Sequence, residues 1–205
     1  MKHLRIDFSD LSLWLTNESI EMSIQYLTAS QITAADQFKL HSKRQDFLRS
    51  RALVNYATGT VRPYVPRSEL VVRHGDYFAS ISHKEQYCAA LTSMSKSLLG
   101  VDIELLGRDR STLRKKVLST SEMAAFDELD LPSLYAFSFK EAVFKCLHTT
   151  YPEVRYFHQC EITNFTDHQF QARILLPSLP HLRILGRAFK LTTPAGEYVI
   201  TVAYS

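Results

Sequence analysis

Asp102 and Glu104 alternate with aliphatic residues in Leu99-Gly100-Val101-Asp102-Ile103-Glu104. As a β-strand, this segment points both carboxylates to one face, about 6–7 Å apart, and Val101 and Ile103 to the other. Two ionised carboxylates at that separation repel unless a cation or water screens them. By itself the pattern fits the wet face of an edge strand. A second segment, Phe137 to Lys145, gives it chemical weight. On a helical wheel of about 100° per residue, Ala136, Phe139, Ala142, Val143, Cys146 and Leu147 form an apolar arc, while Ser138, Glu141, Lys145 and His148 share the polar side. Lys140 falls on the apolar arc, where an ammonium must either snorkel to water or meet a permanent anionic partner. Asp102, Glu104 and Glu141 together supply hard oxygen donors of the kind Mg²⁺ takes alongside water and phosphate oxygens. Lys140, Lys145, His83 and the arginines of an upstream helix are the cations available to a phosphorylated ligand.

These side chains need elements to carry them. Residues 1–27 read as short strands around the apolar runs Leu11–Leu15 and Ile20–Leu27. From Thr28 the pattern turns helical. Ser42-Lys43-Arg44-Gln45 fits a capping box with Ser42 as N-cap, and the helix runs through Phe47, Leu48, Ala52, Leu53 and Tyr56 to a stop near Gly59. Its polar side carries Lys43, Arg44, Arg49 and Arg51, either a solvated basic face or an anion site, since guanidinium groups match phosphate oxygens two at a time. Pro63 and Pro66 mark a loop. Leu70–Val72, Phe78–Ser82 and Tyr87–Leu91 read as strands, with a turn at Gly75-Asp76. Ser82 and His83 place a hydroxyl and an imidazole at a strand end.

The polar stretch Ser93–Ser97 reads as a linker between units 1–97 and 98–205. Beyond the acidic strand come a basic run, Arg108 to Lys116, a capping box at Ser119–Glu122 that opens a short helix through Met123 and Phe126, and the helix Ser133–Leu147 after Pro132. Strands follow at Glu161–Phe165, Gln169–Leu175, Ala188–Leu191 and Tyr198–Tyr204, with a hairpin signal at Pro194-Ala195-Gly196. Glu85–Ala89 and Glu197–Ile200 lead into similar apolar strands, which points to two related α+β halves of ordinary domain size.

At 205 residues, 45% hydrophobic and 22% charged, the chain is long enough for a substantial core. A net charge of +3 is too weak to argue for nucleic acid but suits an anionic ligand or an acidic protein partner. The chain has neither a Gly-rich phosphate loop nor a dinucleotide fingerprint, which sets aside the nucleotide-binding enzymes built on those motifs. Cys88, Cys146 and Cys160 are odd in number and far apart, and read as buried thiols in a reducing compartment. No apolar run suits a signal peptide or a membrane span, so a cytoplasmic protein is expected.

The ordered set of motifs resembles the surfactin-type 4′-phosphopantetheinyl transferases. Gly100-Val101-Asp102-Ile103-Glu104 and Phe137-Ser138-Phe139-Lys140-Glu141-Ala142-Val143-Phe144-Lys145 look like the family's paired signature, G-(I/V)-D-x-E and (W/F)-(S/C/T)-x-K-E-x-x-x-K. Ser80-Ile81-Ser82-His83 looks like its Ser-His motif. Arg44-x-x-Phe47-Leu48-x-Ser50-Arg51 looks like its R-x-x-F-L-x-G-R element. The spelling and length are most similar to the enterobactin-synthase branch. The resemblance implies two α+β subdomains related by pseudo-twofold symmetry, with coenzyme A bound between them and the chain acting as a monomer. The reaction it implies moves phosphopantetheine from coenzyme A to a serine of an acyl or peptidyl carrier protein, for nonribosomal peptide, siderophore or polyketide synthesis. On this reading Asp102, Glu104 and Glu141 hold Mg²⁺, with Glu141 also the candidate proton acceptor, directly or through a metal-bound water. Lys140 and Lys145 neutralise phosphate charge, Ser82 and His83 contact the 3′-phosphate and pyrophosphate, and Arg44 and Arg51 support the nucleotide end. The chain departs from the family pattern at Asn55 and Asp76, where Arg49 and Arg73 are the substitute cations. Rival readings of the same residues are a Mg²⁺-dependent phosphohydrolase and a non-catalytic anion-binding module.

Overall fold

Leu11, Leu13 and Leu15 bury one face of β2 (Leu11–Thr16), a strand of the first antiparallel sheet. The computed structural model describes residues 4–61, 71–107, 111–179 and 182–205. Pro63, Pro66, Leu70 and the Arg108–Arg110 part of the basic run lie outside the described residues. The chain divides into two units, Met1–Ser97 and Leu98–Ser205, with the break at the end of the polar Ser93–Ser97 stretch.

In the first unit, β1 (Leu4–Phe8), β2, β3 (Val71–His74), β4 (Tyr77–Lys84) and β5 (Tyr87–Ser93) are ordered β1-β2-β5-β4-β3. Among the described residues, the α-helices between β2 and β3 are α1 (Ile20–Ser23), α2 (Ala29–Ala35) and α3 (His41–Thr58). The helix α3 packs Leu53 and Val54 onto Ala79, Cys88 and Ala90, with Trp14 and Ile81 at the margin.

Two local expectations are corrected here. Ile20–Leu27 alternates like a strand, yet it forms α1 and a 3-10 turn at Ile24–Tyr26. Ser23 Oγ donates back to the carbonyl of Ser19, and the Tyr26 carbonyl is tied to α3 by Asn55 Nδ2. Tertiary anchoring thus overrides a period that local pattern favours. The capping box also sits elsewhere. Thr28 and Gln31 exchange both capping bonds at the start of α2, each 3.0 Å. The helix α3 instead begins at His41 without a side-chain cap, and Gln45 pairs with the His41 ring. It ends as expected at Gly59, whose φ of 62° provides the left-handed turn.

The second unit has related wiring: in the first unit the last strand, β5, returns to pair with β2, the strand before the helices, and here the last strand returns to pair with the single strand before the helices. The strands β6 (Leu99–Leu105), β7 (Cys160–Thr163), β8 (Gln169–Ile174), β9 (Arg183–Thr193) and β10 (Gly196–Tyr204) are ordered β6-β10-β9-β8-β7. The excursion holds α4 (Ser111–Val117), α5 (Thr120–Glu128) and α6 (Ser133–His148). The Ser119–Glu122 capping box opens α5 as expected. The core lies between α6 and the sheet, where the Phe139 and Phe170 rings stack at 4.3 Å and Phe126 stacks on Phe165 at 4.1 Å. The fold is α+β, in two units with similar connectivity.

Candidate active site

Gly100 sets how closely α6 approaches β6. A Cβ built there would stand 2.1 Å from the Ala142 carbonyl oxygen and 2.6 Å from the Cys146 amide nitrogen, so only glycine lets the helix lie this close. Strand alternation then places Asp102 and Glu104 on the same face as Gly100, toward α6. Their partners on β10, Thr201 and Val199, share that face. Ser138 of α6 donates to Thr201 Oγ1 at 2.9 Å and pins the helix above the acids.

Both acids are buried, with 4% of Asp102 and 8% of Glu104 exposed, so the wet edge-strand reading does not hold. Lys145 Nζ lies 2.9 Å from Asp102 Oδ1 and 3.0 Å from the Val101 carbonyl. Glu141, one turn before Lys145, has a carboxyl held above the usual carboxylate range. Burial is the main cause; Lys145 opposes it, and the charges of Asp102 and Glu104 add to it. The structure therefore brings Asp102, Glu104, Glu141 and Lys145 into one electrostatic environment.

Lys140 is not part of it. Fully buried, its ammonium lies 2.6 Å from Glu122 Oε1, 2.6 Å from the Cys160 carbonyl and 3.3 Å from the Phe157 carbonyl. An ammonium has three donors, and these three acceptors occupy them. Lys140, expected to neutralise ligand phosphate, here pairs with Glu122: the apolar arc carried it inward to a buried partner. Glu122 in turn accepts the Ser119 amide at 2.8 Å and the Ile162 amide at 2.6 Å, tying α5, α6 and β7 together. Sequence reading saw Glu122 only as a capping residue. The signal that could have revealed the pair was the coincidence of a buried lysine and a nearby carboxylate fixed by its own cap.

The expected residues of the first unit spread over different surroundings. His83 Nε2 lies 3.3 Å from Asp46 Oδ2 of α3. Arg51 lies over the Phe47 ring at 5.3 Å. Arg44 pairs with Asp36 at 2.7 Å on the surface. The register Ser82↔Ala89 and His83↔Cys88 puts Ser82 and His83 on opposite faces of the sheet, with His83 on the α3 side. Arg49, a candidate substitute cation, is buried and donates to the carbonyls of Glu18 and Glu85. Asn55 is a buried tie, donating to the Tyr26 carbonyl and to Gln31 Oε1.

Among the described residues no group of three or more His, Cys, Asp or Glu side chains is placed to hold a metal ion. Mg²⁺ does not need such a group, because it keeps waters and takes substrate phosphate oxygens beside one or two carboxylates. The donor chemistry fits: hard oxygens on a shared face, with mutual repulsion that a cation would relieve. Among the described residues no helix is long and apolar enough to cross a membrane.

Comparison with curated proteins gives no match to the chain. Residues 98–203, just over half of the chain and almost the whole second unit, match the 4′-phosphopantetheinyl transferase superfamily. That span contains β6, α6 and the four side chains that share one field. Members of this family are transferases that use coenzyme A. The chain belongs to the 4′-phosphopantetheinyl transferase superfamily.

Proposed function

We propose that this chain transfers the 4′-phosphopantetheine group from coenzyme A to a serine hydroxyl of an acyl or peptidyl carrier protein. The observation that carries the reading is the grouping of Asp102 and Glu104 of β6 with Glu141 and Lys145 of α6, inside the span that matches the family. In the reaction the serine oxygen bonds to the phosphorus bearing pantetheine. The pyrophosphate bond breaks, its electron pair leaves with 3′,5′-ADP, and the serine proton is taken by a base.

Glu141 is the candidate base, because a carboxyl raised above its ordinary range takes up a proton more readily than an exposed one. Asp102, Glu104 and Glu141 would hold Mg²⁺, which when bound offsets the negative charge of the diphosphate. Lys145, oriented by Asp102 and the Val101 carbonyl, supplies positive charge at the leaving oxygen. Phosphoryl transfer depends mostly on such positioning and charge stabilisation. His83, Arg51 and Arg44 are the proposed contacts for the nucleotide end, with Ser82 contributing from the other sheet face. We further propose a monomeric, cytoplasmic enzyme whose carrier belongs to a nonribosomal peptide, siderophore or polyketide assembly.

The test is incubation with coenzyme A, Mg²⁺ and an apo carrier protein. Added mass on the carrier serine is the expected result. Release of 3′,5′-ADP without carrier modification would instead indicate a phosphohydrolase.

A further inference from the structure

We propose that Asp46 is the positioning residue for His83, holding its ring so that it can receive the 3′-phosphate of the nucleotide. This rests on the function proposed above. Asp46 lies on α3, its carboxylate is 14% exposed, and its Oδ2 is 3.3 Å from His83 Nε2. Around it α3 is fastened to the β4–β5 hairpin. Ser50 Oγ donates to the Asp46 carbonyl at 2.6 Å, and Cys88, the cross-strand neighbour of His83, donates to Ser50 Oγ. Arg49 reaches the carbonyl of Glu85, the hairpin residue held at a φ of 53°. The carboxylate therefore meets the ring on a braced platform.

A carboxylate beside a phosphate site is costly unless cations outnumber it. Lys43 Nζ lies 3.8 Å from Asp46, and Arg49 and Arg51 both act on the neighbouring Cys88 thiol along with Asp46. Lys84 and Glu85 follow His83 at the hairpin. Lys43, Arg49 and Arg51 of α3 are thus the cations that offset the Asp46 charge here. With Nε2–H given to Asp46, the ring meets a phosphate oxygen through Nδ1–H and so acts as an imidazolium between two anions. Asp46 then contributes ring orientation and charge, not a contact to the ligand.

The test compares the full chain with its Asp46→Asn and Asp46→Glu variants. Calorimetry measures binding of 3′,5′-ADP and of 5′-AMP, and ¹⁵N–¹H spectra read the His83 ring in the free protein. The expected result is about tenfold weaker binding of 3′,5′-ADP by Asp46→Asn, as for loss of one charge-assisted hydrogen bond. Binding of 5′-AMP is unchanged, and Asp46→Glu recovers most of the loss. Combining Asp46→Asn with His83→Gln adds nothing to His83→Gln alone, and the Nε2–H signal of the wild-type ring is lost in Asp46→Asn. Equal losses for both nucleotides, additive losses, an unchanged ring spectrum, or no preference of the wild type for 3′,5′-ADP would overturn the proposal. Failure of the function itself shows separately, as a wild-type protein that binds 3′,5′-ADP but modifies no carrier.

Discussion

Replacing Lys140 by Met removes the ammonium that bridges Glu122 to the carbonyls of Phe157 and Cys160, at a site where 0% of the lysine and 3% of the glutamate side chain are exposed. Breaking a buried ion pair from one side costs about 3–5 kcal/mol, because the remaining charge has lost its counterion. For a protein of this size each kcal/mol lowers the melting temperature by about 2–4 °C, so a fall of roughly 10 °C is expected. The double variant Lys140→Met/Glu122→Leu removes the stranded charge but also leaves the Ser119 and Ile162 amides and two carbonyls unmatched, so it regains only part of the loss. Denaturant unfolding of the four proteins gives the coupling energy, expected at about 2 kcal/mol or more. Transfer rates are measured well below the lowest melting temperature. Lys140→Met should keep far more activity per folded molecule than Lys145→Met. Refutation would be a stability change under about 1 kcal/mol together with a hundredfold loss of transfer, which would put Lys140 on the substrate phosphate after all.

Three further outcomes follow from the geometry. Gly100→Ala should lower both stability and transfer, since the new methyl would meet the backbone of α6 rather than a movable side chain; thermal unfolding and rate assays check this together. Glu141→Gln should abolish transfer yet raise the melting temperature of the Mg²⁺-free protein at neutral pH. A carboxyl raised in the folded state favours folding below its ordinary pKa, and that contribution is lost as pH rises through the raised value, so the gain from Gln should vanish in acid. Cys88 and Cys160, pushed up to about 11 by burial, should resist alkylation in the native protein at pH 8, with Cys146 equally shielded. All three should react after unfolding, counted by intact mass. For the two raised thiols, stability is full below about pH 9 and declines toward pH 11 as the unfolded chain ionises first.

Periodicity and caps made much of this fold legible. The run Tyr87–Leu91 reads as a buried strand and lies within β5, α6 follows its apolar arc, and the Ser119–Glu122 box starts α5 where expected. The Ile20–Leu27 segment was not legible, because its alternation matches a strand while the Tyr26 carbonyl is held by Asn55, a contact distant in sequence. At the site, the shared face of Asp102 and Glu104 follows from alternation alone. The burial of that face does not, because it depends on how closely α6 can approach over Gly100, a property of packing rather than of local pattern. The same limit applies to Lys140: the helical wheel turned it inward, but only the fold identifies Glu122 as its partner. Ser82 and His83 are contiguous in the sequence, and the pleat sets their side chains on opposite faces of the sheet.

The most direct measurement is the intact mass of an apo carrier protein after incubation with coenzyme A and this enzyme, with Mg²⁺ present or chelated, for the wild type and for Asp102→Ala. One phosphopantetheine added per carrier, only with the wild type and only with Mg²⁺, is the expected result. Equal modification by Asp102→Ala, or transfer that ignores the metal, would show that the acids of β6 do not assemble the site described here.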